Sequence, residues 1–409
     1  MPDLTMNLYE QTAVPKLVYI VTVSMTADNL LRGQLRTIRG QGFDVTVITS
    51  PSPELTAIAQ REGVTIIELP MEREIHFRRD WVALWQLYKQ LRRIQPQIVN
   101  ASTPKAGLLG MVAAWLARVP IRIYVLRGLR LETTTGMQRL ILALAERLTS
   151  ACAHYIVCVS HSLRQAYTQL DLVSPNKLVV LGKGASNGVS TERFLPNTFS
   201  QIELAKLRSK MGLPDDVPVI GFVGRFTRDK GIVELVEAFE QILTVIPQAH
   251  LVLVGRFEKG DPVPVHIVER IQSHPQIKQA GFVTDTAPYY QLMDILAFPS
   301  YREGFPNAPL EAAAAGVPTV GFSATGTVDA VQQDKTGLLV PVGAVDQLAK
   351  QMLLLLHDKE LCKNLGIAAQ QWAMQNFDEQ IVWKNWATFF QQCIAKQNSL
   401  REPTQSARV

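Results

Sequence analysis

Short runs of apolar residues alternate with longer stretches of helical periodicity along most of the chain. The runs are mostly unbroken series of Val, Ile and Leu, which is typical of parallel strands buried on both faces of a sheet. They predict strands at residues 17–23, 45–49, 64–69, 98–101, 121–126, 155–159, 178–181, 217–223, 250–254, 295–298, 317–321 and 337–340. The helical patterns between them predict βαβ units, and therefore an α/β protein with doubly wound parallel sheets.

The series is interrupted between about residues 194 and 218, where prolines and polar residues favour a loop. We therefore predict two Rossmann-like domains that face a central cleft, residues 1–195 and residues 196–377. The apolar positions of residues 378–396 predict a final helix, which packs on the second domain or back on the first. The polar tail at residues 397–409 is expected to be frayed.

The composition of the 409 residues is that of a protein with large buried cores, since 47% are hydrophobic and 19% are charged. The four cysteines form no Cys-x-x-Cys pair, which argues against a zinc site or a disulfide framework and favours a reducing cytosol. Residues 1–15 lack the pattern of a signal peptide, and the candidate membrane stretch at residues 140–159 contains Glu146 and Arg147. We expect a cytoplasmic protein that does not span a membrane.

Charge is divided unevenly along the chain. Residues 1–195 hold 22 Lys and Arg against 14 Asp and Glu, a net charge of +8, whereas residues 196–409 hold 19 against 22, a net charge of −3. The basic half predicts a negatively charged partner for the first domain. The alternative is chance variation in surface charge.

The segment from Glu303 to Glu311 is the most informative part of the second half. Pro306 suits the first turn of a helix, so that Glu303 lies in the loop after a strand and Glu311 about one turn inside the helix. Both then face the carboxyl ends of the strands, where open α/β sheets bind ligands. The helix start offers N–H groups to an anion, and a carboxylate further on can accept hydrogen bonds from a ribose diol. This predicts a nucleotide site, unless both glutamates are ordinary surface residues.

A second group of candidate residues follows the strand at residues 217–223. Gly224 ends that strand, and Arg225 and Lys230 lie between it and a helix that begins near Ile232. Arginine supplies a bidentate fork for phosphate oxygens, and lysine a compact charge. The pair predicts a diphosphate site at the same edge of the sheet, and the alternative is two ordinary loop cations.

Taken in order, these motifs resemble glycosyltransferase family 4, the retaining, nucleotide-sugar-dependent enzymes of GT-B fold. The matching motifs are Gly224-Arg225 with Lys230-Gly231, Glu303-x7-Glu311, Thr325-Gly326 with Asp329, Thr336-Gly337-Leu338-Leu339-Val340-Pro341, and Asn187-Gly188-Val189 with Phe194. The segment Ser102–Gly110, with Arg127-Gly128-Leu129, resembles the branch that builds capsule, exopolysaccharide or lipid-linked glycans. The resemblance covers nearly the whole chain.

The resemblance implies a donor site and three catalytic residues, Arg225, Lys230 and Glu303. The implied donor residues are Gly224, Arg225 and Lys230 at the diphosphate, Phe282 and Val283 at the base, Gly304, Phe305, Asn307, Ala308 and Leu310 around the sugar and diphosphate, and Glu311 at the ribose. No Asp-x-Asp occurs in the chain, so we expect protein cations rather than a metal to stabilise the leaving diphosphate, and no cofactor. The resemblance also implies attack by the acceptor on the face from which the diphosphate leaves. The alternative is a covalent intermediate on Glu303.

The first domain would bind the acceptor, a glycan or a polyprenyl-phosphate-linked glycan. Lys105 follows a predicted helix start and can reach an acceptor phosphate, unless it is a simple surface lysine. Arg127 stands where many family members have a histidine, and because arginine stays protonated it is expected to bind rather than to act as a base. Asn187 is the third candidate on the acceptor side. No nucleic-acid partner is expected.

One stretch of the first half combines aromatic and basic residues. Trp81, Trp85 and Tyr88 recur at helical spacing, and Arg92 and Arg93 follow them. Such a helix either packs on its own sheet or lies on an anionic membrane surface that carries a lipid-linked acceptor. The second interpretation predicts peripheral docking on the inner face of the membrane.

The leading hypothesis is therefore a retaining, metal-independent glycosyltransferase of cell-surface polysaccharide synthesis that uses a nucleotide-diphosphate sugar. Two other classes fit the two-domain architecture. A nucleotide-sugar epimerase would not need the Glu303-x7-Glu311 helix, and intact cations and glutamates argue against a non-catalytic nucleotide-binding protein.

Overall fold

The computed structural model describes residues 14–72, 76–132, 134–258 and 260–400, so the predicted tail beyond residue 400 lies outside the described residues. The strands are β1 (Lys16–Ile20), β2 (Asp44–Thr49), β3 (Thr65–Glu68), β4 (Ile98–Ser102), β5 (Ile121–Leu126), β6 (Tyr155–Cys158), β7 (Leu178–Val179), β8 (Val219–Val223), β9 (His250–Val254), β10 (Ile277–Gly281), β11 (Ile295–Phe298), β12 (Thr319–Phe322) and β13 (Gly337–Val340). The helices are α1 (Ser24–Leu30), α2 (Gln34–Gly40), α3 (Leu55–Glu62), α4 (Phe77–Ile94), α5 (Pro104–Leu116), α6 (Gly136–Cys152), α7 (His161–Gln169), α8 (Thr191–Phe194), α9 (Gln201–Lys210), α10 (Ile232–Val245), α11 (Val265–Ser273), α12 (Ala287–Tyr290), α13 (Asn307–Ala314), α14 (Thr327–Ala330), α15 (Val345–His357), α16 (Lys359–Asn376) and α17 (Glu379–Ser399).

The strands form two sheets, as the alternation of apolar runs and helical patterns predicts. The first sheet has the order β3-β2-β1-β4-β5-β6-β7, and the second has the order β10-β9-β8-β11-β12-β13. Neighbouring strands pair in parallel, for example β8 with β9 and β11 with β12. Because parallel strands all end at the same edge, the loops after β8, β9, β10, β11 and β12 meet at one edge of the second sheet.

One strand, β10, is missing from the prediction. Its sequence, Ile-Lys-Gln-Ala-Gly, is not an apolar run, and only Ile277 is buried. The strand lies at the edge of the second sheet, where one side of the strand has no neighbour. Edge strands carry polar residues that discourage further pairing, so a search for buried apolar runs does not find them.

The described chain has two compact units by internal contacts. Among the described residues, the first consists of residues 14–125, 144–155 and 387–400, and the second of Leu126–Ala143 and Ile156–Trp386. This division differs from the predicted boundary at residue 195, which stays a prediction. Residues on both sides of position 195 belong to the second unit because they form hydrogen bonds with each other, for example between Ser162 and Asp329.

Helix α17 contributes to the core of the first unit. Phe390 of α17 is fully buried and makes edge-on ring contacts with Tyr19 at 6.2 Å and Phe43 at 6.0 Å. Its neighbour Phe389 contacts Tyr155 at 5.5 Å. The last helix therefore supplies aromatic core residues to a unit that begins with β1.

Helix α4 of the same unit has a buried face and an exposed aromatic face. Ala83, Leu87 and Leu91 are buried, whereas the side chains of Trp81 and Trp85 are 70% and 53% exposed. The helix therefore packs on its own unit through small and aliphatic residues and leaves its tryptophans exposed, and its predicted docking on a membrane stays a prediction. No helix within the described ranges is long and apolar enough to cross a membrane.

Candidate active site

The loops after β8 and β9 begin with the same sequence, Val-Gly-Arg-Phe, and run side by side. Phe226 and Phe257 form a parallel bridge, and a Cβ atom on Gly255 would lie 1.8 Å from the carbonyl oxygen of Gly224. Only glycine allows this approach, so the repeated sequence marks two equivalent strand ends. Arg225 therefore leaves the sheet at its carboxyl edge, as predicted.

The two predicted phosphate-binding cations lie at this edge, but each contacts a different carboxylate. The guanidinium of Arg225 is 3.0 Å from Glu258 Oε2, and this pair is largely exposed. Lys230 Nζ is 2.6 Å from Glu303 Oε1, and both side chains are mostly buried, at 14% and 16% exposure. The structure thus brings Lys230 and Glu303 together and places Arg225 beside a residue that the sequence motifs do not include.

Glu303 is held from several sides. Ser300 Oγ donates to its Oε1 at 2.9 Å, in addition to the bond from Lys230. The backbone N–H of Glu303 donates to Thr325 O at 3.0 Å. The carboxylate is therefore fixed at the end of β11, in the loop position that the sequence predicts.

Asp229 is a second acidic residue of this region, and the sequence motifs do not include it. Its carboxylate accepts a 2.6 Å hydrogen bond from Thr227 and lies 3.4 Å from Arg302. Burial raises the pKa of Asp229, but the Thr227 hydrogen bond and the charges of Lys230, Arg302 and Arg225 outweigh it and hold the pKa below its ordinary value. Asp229 thus stays ionised and compensates positive charge in the loop that carries Lys230.

Gly304 and Phe305 lie against neighbouring loops of the same unit. A Cβ atom on Gly304 would be 1.8 Å from the carbonyl oxygen of Arg127, so no larger residue fits there. The Phe305 ring is buried and packs against Phe377 at 5.2 Å. The guanidinium of Arg127 donates to Ser186 O at 3.1 Å. The predicted acceptor-side residue Arg127 therefore lies next to the predicted sugar-binding backbone.

The sequence predicts Pro306 in the first turn of a helix. In the structure, α13 begins one residue later, at Asn307. Pro306 is the N-cap and has an extended backbone. Asn307 and Ala308 are therefore the first two helical residues, and Leu310 is fully buried beneath them. Within the described residues the Asn307 Oδ1 atom is buried and accepts no hydrogen bond. The start of the helix thus offers N–H groups and one amide oxygen to a ligand.

Glu311 lies in the second turn of α13 and contacts α12. Its Oε2 accepts hydrogen bonds from the hydroxyl of Tyr290 at 2.9 Å and of Thr286 at 3.2 Å. Burial raises the pKa of Glu311 above its ordinary value, and these two hydrogen bonds reverse only part of that effect. Burial and the neighbouring carboxylate raise the pKa of Tyr290 well above its ordinary value, so its hydroxyl remains a donor.

Phe282 and Val283 follow β10, the strand that the sequence did not predict. The Phe282 ring is 68% exposed, and the guanidinium of Arg256 lies 5.1 Å from its centre. The backbone here is at the same carboxyl edge as Gly224 and Glu303. The structure therefore places the predicted base-binding residues at the edge of the sheet that carries the other donor residues.

Two predicted acceptor-side residues have partners inside the protein. Lys105 Nζ forms a 2.7 Å ion pair with Asp80 of α4, and the lysine side chain is 9% exposed. Asn187 is buried and accepts a 2.9 Å hydrogen bond from Trp383 of α17. These contacts give both residues a role in packing, and their proposed contacts with an acceptor stay predictions.

Two doubly wound sheets, with cations, two glutamates and a helix N-terminus at the carboxyl edge of the second, have the architecture that the resemblance to GT-B glycosyltransferases predicts. Residues 205–372 match the family model of glycosyl transferases group 1, and residues 29–184 match that of the glycosyl transferase 4-like domain. The chain belongs to this glycosyltransferase family and is an enzyme of that class. The fold class and the family that the motifs resemble are thereby confirmed.

Individual relatives extend the comparison. The chain is 34% identical over 376 residues to the capsular polysaccharide biosynthesis glycosyltransferase CapM of Staphylococcus aureus. The aligned region covers 92% of this chain and 96% of CapM. It is 26% identical over 323 residues to the UDP-Gal:alpha-D-GlcNAc-diphosphoundecaprenol alpha-1,3-galactosyltransferase of Escherichia coli, with 78% and 81% of the two chains covered. The crystal structure of Anabaena HepE in complex with UDP and glucose is similar with a TM-score of 0.76 and 19% identity, over 92% of this chain and 99% of that one.

Proposed function

We propose that this glycosyltransferase moves a sugar from a nucleoside-diphosphate sugar to a lipid-linked glycan, with retention of configuration and without a metal ion. The observation that carries the proposal is the mostly buried Lys230–Glu303 pair at the carboxyl edge of the second sheet. It joins a phosphate-binding cation to a carboxylate that can meet a sugar. Arg225 and the start of α13 lie at the same edge.

The donor would lie along this edge. The ribose would bind Glu311, whose Oε1 accepts no hydrogen bond from the described residues, and the base would contact the backbone at Phe282 and Val283. The diphosphate would meet Arg225, Lys230 and the N–H groups of α13. Glu303, with Gly304 and Phe305, would contact the sugar. Two similar proteins support UDP as the nucleotide. The name of the E. coli relative includes UDP-Gal, and HepE was crystallised in complex with UDP.

Transfer then requires little more than charge stabilisation. The bond between the anomeric carbon and the diphosphate breaks with its electron pair on the diphosphate, while the acceptor oxygen bonds to the same face of that carbon. The acceptor proton passes to a departing phosphate oxygen. Arg225, Lys230 and the α13 N–H groups would stabilise the new charge, in the place that a metal ion holds in other transferases. Within the described residues, no three His, Cys, Asp or Glu side chains are grouped to hold a metal.

The acceptor is proposed from the relatives and from the surface of the first unit. CapM acts in capsular polysaccharide synthesis, and the E. coli relative glycosylates a diphosphoundecaprenol-linked sugar. A lipid-linked acceptor requires the enzyme to reach a membrane surface. Helix α4 has the properties for this, because Phe77, Trp81 and Trp85 are exposed beside the exposed cations Arg92 and Arg93.

Helix α6 shows a second exposed apolar face. Five large apolar side chains recur at intervals of three and four residues along it and are each about half exposed or more: Met137, Leu140, Ile141, Leu144 and Leu148. The one acidic residue of the helix, Glu146, instead accepts a hydrogen bond from Tyr124 at 3.2 Å. An exposed apolar stripe of this kind supports contact with the headgroup and acyl boundary of a membrane.

The purified protein, incubated with a panel of nucleotide sugars and a bacterial lipid extract, tests the proposal. We expect nucleotide release that requires both one sugar donor and the lipid fraction, and a glycosylated lipid detected by mass spectrometry. The rate should be unchanged by a chelator, and NMR of the product should show the donor's anomeric configuration. Inversion, a chelator-sensitive rate or a glycosyl adduct on Glu303 would each contradict the mechanism.

A further inference from the structure

Asp329 makes hydrogen bonds that connect two helices of the second unit, α14 and α7. It lies in the short helix α14, and its carboxylate accepts hydrogen bonds from the backbone N–H of His161 at 2.8 Å and of Ser162 at 3.2 Å. These are the first two residues of α7, a helix of nine residues. The Ser162 hydroxyl also donates to Asp329 Oδ2. The negative charge therefore sits at the positive end of α7, where it is favourable.

The Ser162 hydroxyl joins this cap to the preceding turn. Its oxygen accepts a 2.7 Å hydrogen bond from the N–H of Gly326 while its proton goes to Asp329. The turn from Thr325 to Asp329 is thus held at both ends by one residue of α7. Ser160 caps the next N–H of that helix, at Leu163, so Asp329 and Ser160 together satisfy its start.

The same turn lies directly against the backbone of Glu303. Thr325 O accepts the Glu303 N–H at 3.0 Å. Gly326 has a φ of 79°, and a Cβ atom there would lie 2.7 Å from Gly304 O and 2.9 Å from Glu303 O. With no space between the two segments, a shift of the turn displaces the Glu303 backbone. Glu303 in turn bonds Lys230 at 2.6 Å.

We propose that Asp329, through Ser162 and Gly326, is a positioning residue that fixes the backbone of Glu303 and so aligns its carboxylate with the donor sugar. The inference rests on the proposed role of Glu303. Asp329 touches no substrate in this scheme. Its effect on the reaction is transmitted through one hydroxyl, one turn and one backbone hydrogen bond, and misplacement of a reacting group by about 1 Å costs on the order of 100-fold in rate.

The test compares Asp329→Ala and Ser162→Ala with Asp358→Ala. Asp358 is a matched control, because it also caps a helix, accepting the Leu361 N–H at 2.9 Å, and has no contact with Glu303. We expect Asp329→Ala to lower kcat at least tenfold and to change the donor KM less than threefold, whereas Asp358→Ala lowers only the Tm. Ser162→Ala removes a single hydroxyl and serves if Asp329→Ala does not fold.

Two further readouts distinguish positioning from general weakening. Hydrogen exchange of a peptide that covers residues 300–305 should be faster in Asp329→Ala than in Asp358→Ala, because the Glu303 N–H loses its fixed acceptor. In the Glu303→Gln background, Asp329→Ala should cost less than twofold in kcat, since there is no carboxylate left to position.

The outcomes separate this inference from the function on which it rests. If Glu303→Gln leaves the rate unchanged, the proposed donor site is wrong. If Glu303→Gln slows transfer but Asp329→Ala does not, or if the two effects are fully additive, Asp329 is only a structural cap and the inference is overturned.

Discussion

At the scale of residues, the two glutamates of the Glu303-x7-Glu311 motif have opposite surroundings. Glu303 is paired with the ammonium of Lys230, so its charge is compensated within the protein. Within the described residues, the hydrogen-bond partners of Glu311 are the hydroxyls of Tyr290 and Thr286, and burial raises its pKa. The ionised form of Glu311 therefore carries a cost in folding stability, which the proposed hydrogen bonds to a ribose would offset.

Glu311→Gln should separate stability from function. The amide oxygen can still accept from Tyr290 and Thr286, but the charge is gone, so we expect a Tm at pH 7 equal to or above that of the wild type. Loss of a charged acceptor for the ribose should weaken donor binding about tenfold to a hundredfold, as measured by titration calorimetry. The substitution would then raise the Tm and weaken donor binding, a trade-off between stability and function that is common at ligand sites.

The pH dependence of that difference has a definite sign. A carboxyl whose pKa is raised by folding stabilises the folded state below its unfolded pKa, and this contribution is lost as the pH rises through the folded pKa. The Tm gain of Glu311→Gln should therefore disappear at about pH 4, which is below the ordinary glutamate pKa. Glu240→Gln, on a solvent-facing ion pair with Arg270, is the control. A Tm gain that persists at pH 4 would contradict the assigned pKa shift.

Lys230→Met removes the cation of the central pair. We expect kcat/KM for the donor to fall about 100-fold to 1,000-fold, as for loss of one preorganised group that stabilises a developing charge. The Tm should also fall, because Glu303 is left mostly buried without its partner, and Glu303→Gln in the same chain should restore part of it. Lys335→Met, at an exposed position, is the control. Equal rates in the two variants would overturn the site assignment.

The residues that the sequence identifies are those with motif spacing. Arg225, Lys230, Glu303 and Glu311 follow predicted strands at fixed intervals, and the structure places all four at the carboxyl edge of the second sheet. Glu258 was not foreseen, because its contact with Arg225 depends on two strand ends lying side by side. Such pairings are set by tertiary structure and leave no periodic signal in the chain.

At the scale of elements, apolar runs identify buried strands and say little about edges and outer faces. They predict every strand of the second sheet except β10, whose polar residues suit its edge position. For α4 the helical spacing predicts an amphipathic helix. Which side of the helix is buried could not be predicted, because Leu87 lies on the side opposite Trp85 and both sides carry apolar residues, so that only packing decides between them.

The exposed face of α4 gives a prediction about membrane binding. In Trp81→Ala/Trp85→Ala and in Arg92→Glu/Arg93→Glu, we expect binding to vesicles of anionic phospholipid to weaken at least tenfold in a flotation assay. Each basic residue near an anionic leaflet contributes about 1 kcal/mol to binding, and tryptophan side chains that enter the membrane interface bury additional apolar area. Binding of the nucleotide-sugar donor in solution, measured by titration calorimetry, should be unchanged.

A matched charge reversal on another exposed helix is the control for this experiment. Lys206→Glu/Lys210→Glu changes the same number of charges on α9, whose residues are all partly or fully exposed. It should leave vesicle binding within twofold. Equal loss of vesicle binding in the Arg92→Glu/Arg93→Glu and Lys206→Glu/Lys210→Glu variants would mean that net charge alone governs attachment. If the wild-type protein does not float with anionic vesicles at low salt, docking through α4 is excluded.

At the scale of the whole molecule, helix α17 contributes residues to both units, including the unit that contains β1. Residues 379–386 of α17 belong to the second unit and residues 387–399 to the first. Phe390 packs on Tyr19 of β1 and on Phe43, far apart in the sequence. The sequence predicts this helix and leaves open which unit it joins, since an apolar stripe does not specify its partner.

Phe390→Ala should therefore destabilise the first unit. A fully buried phenylalanine lost from an aromatic cluster costs about 3–5 kcal/mol in the free energy of unfolding. Urea unfolding followed by near-ultraviolet circular dichroism should show a lower midpoint for the transition that includes this unit. Leu400→Ala, at a residue that is 74% exposed, is the control. If the two variants unfold at the same urea concentration, the last helix does not support the first unit.

The carboxylates beside Arg225 and Lys230 have a consequence for how the enzyme responds to ionic strength. Each cation already has a protein-borne counter-ion, Glu258 or Glu303. A diphosphate that binds there exchanges one anion for another and releases few dissolved ions. Attachment through the exposed Arg92 and Arg93, in contrast, is directly screened by dissolved salt. If Arg92 and Arg93 attach the enzyme to an anionic surface as proposed, rising salt should detach it while the proposed donor site continues to fill.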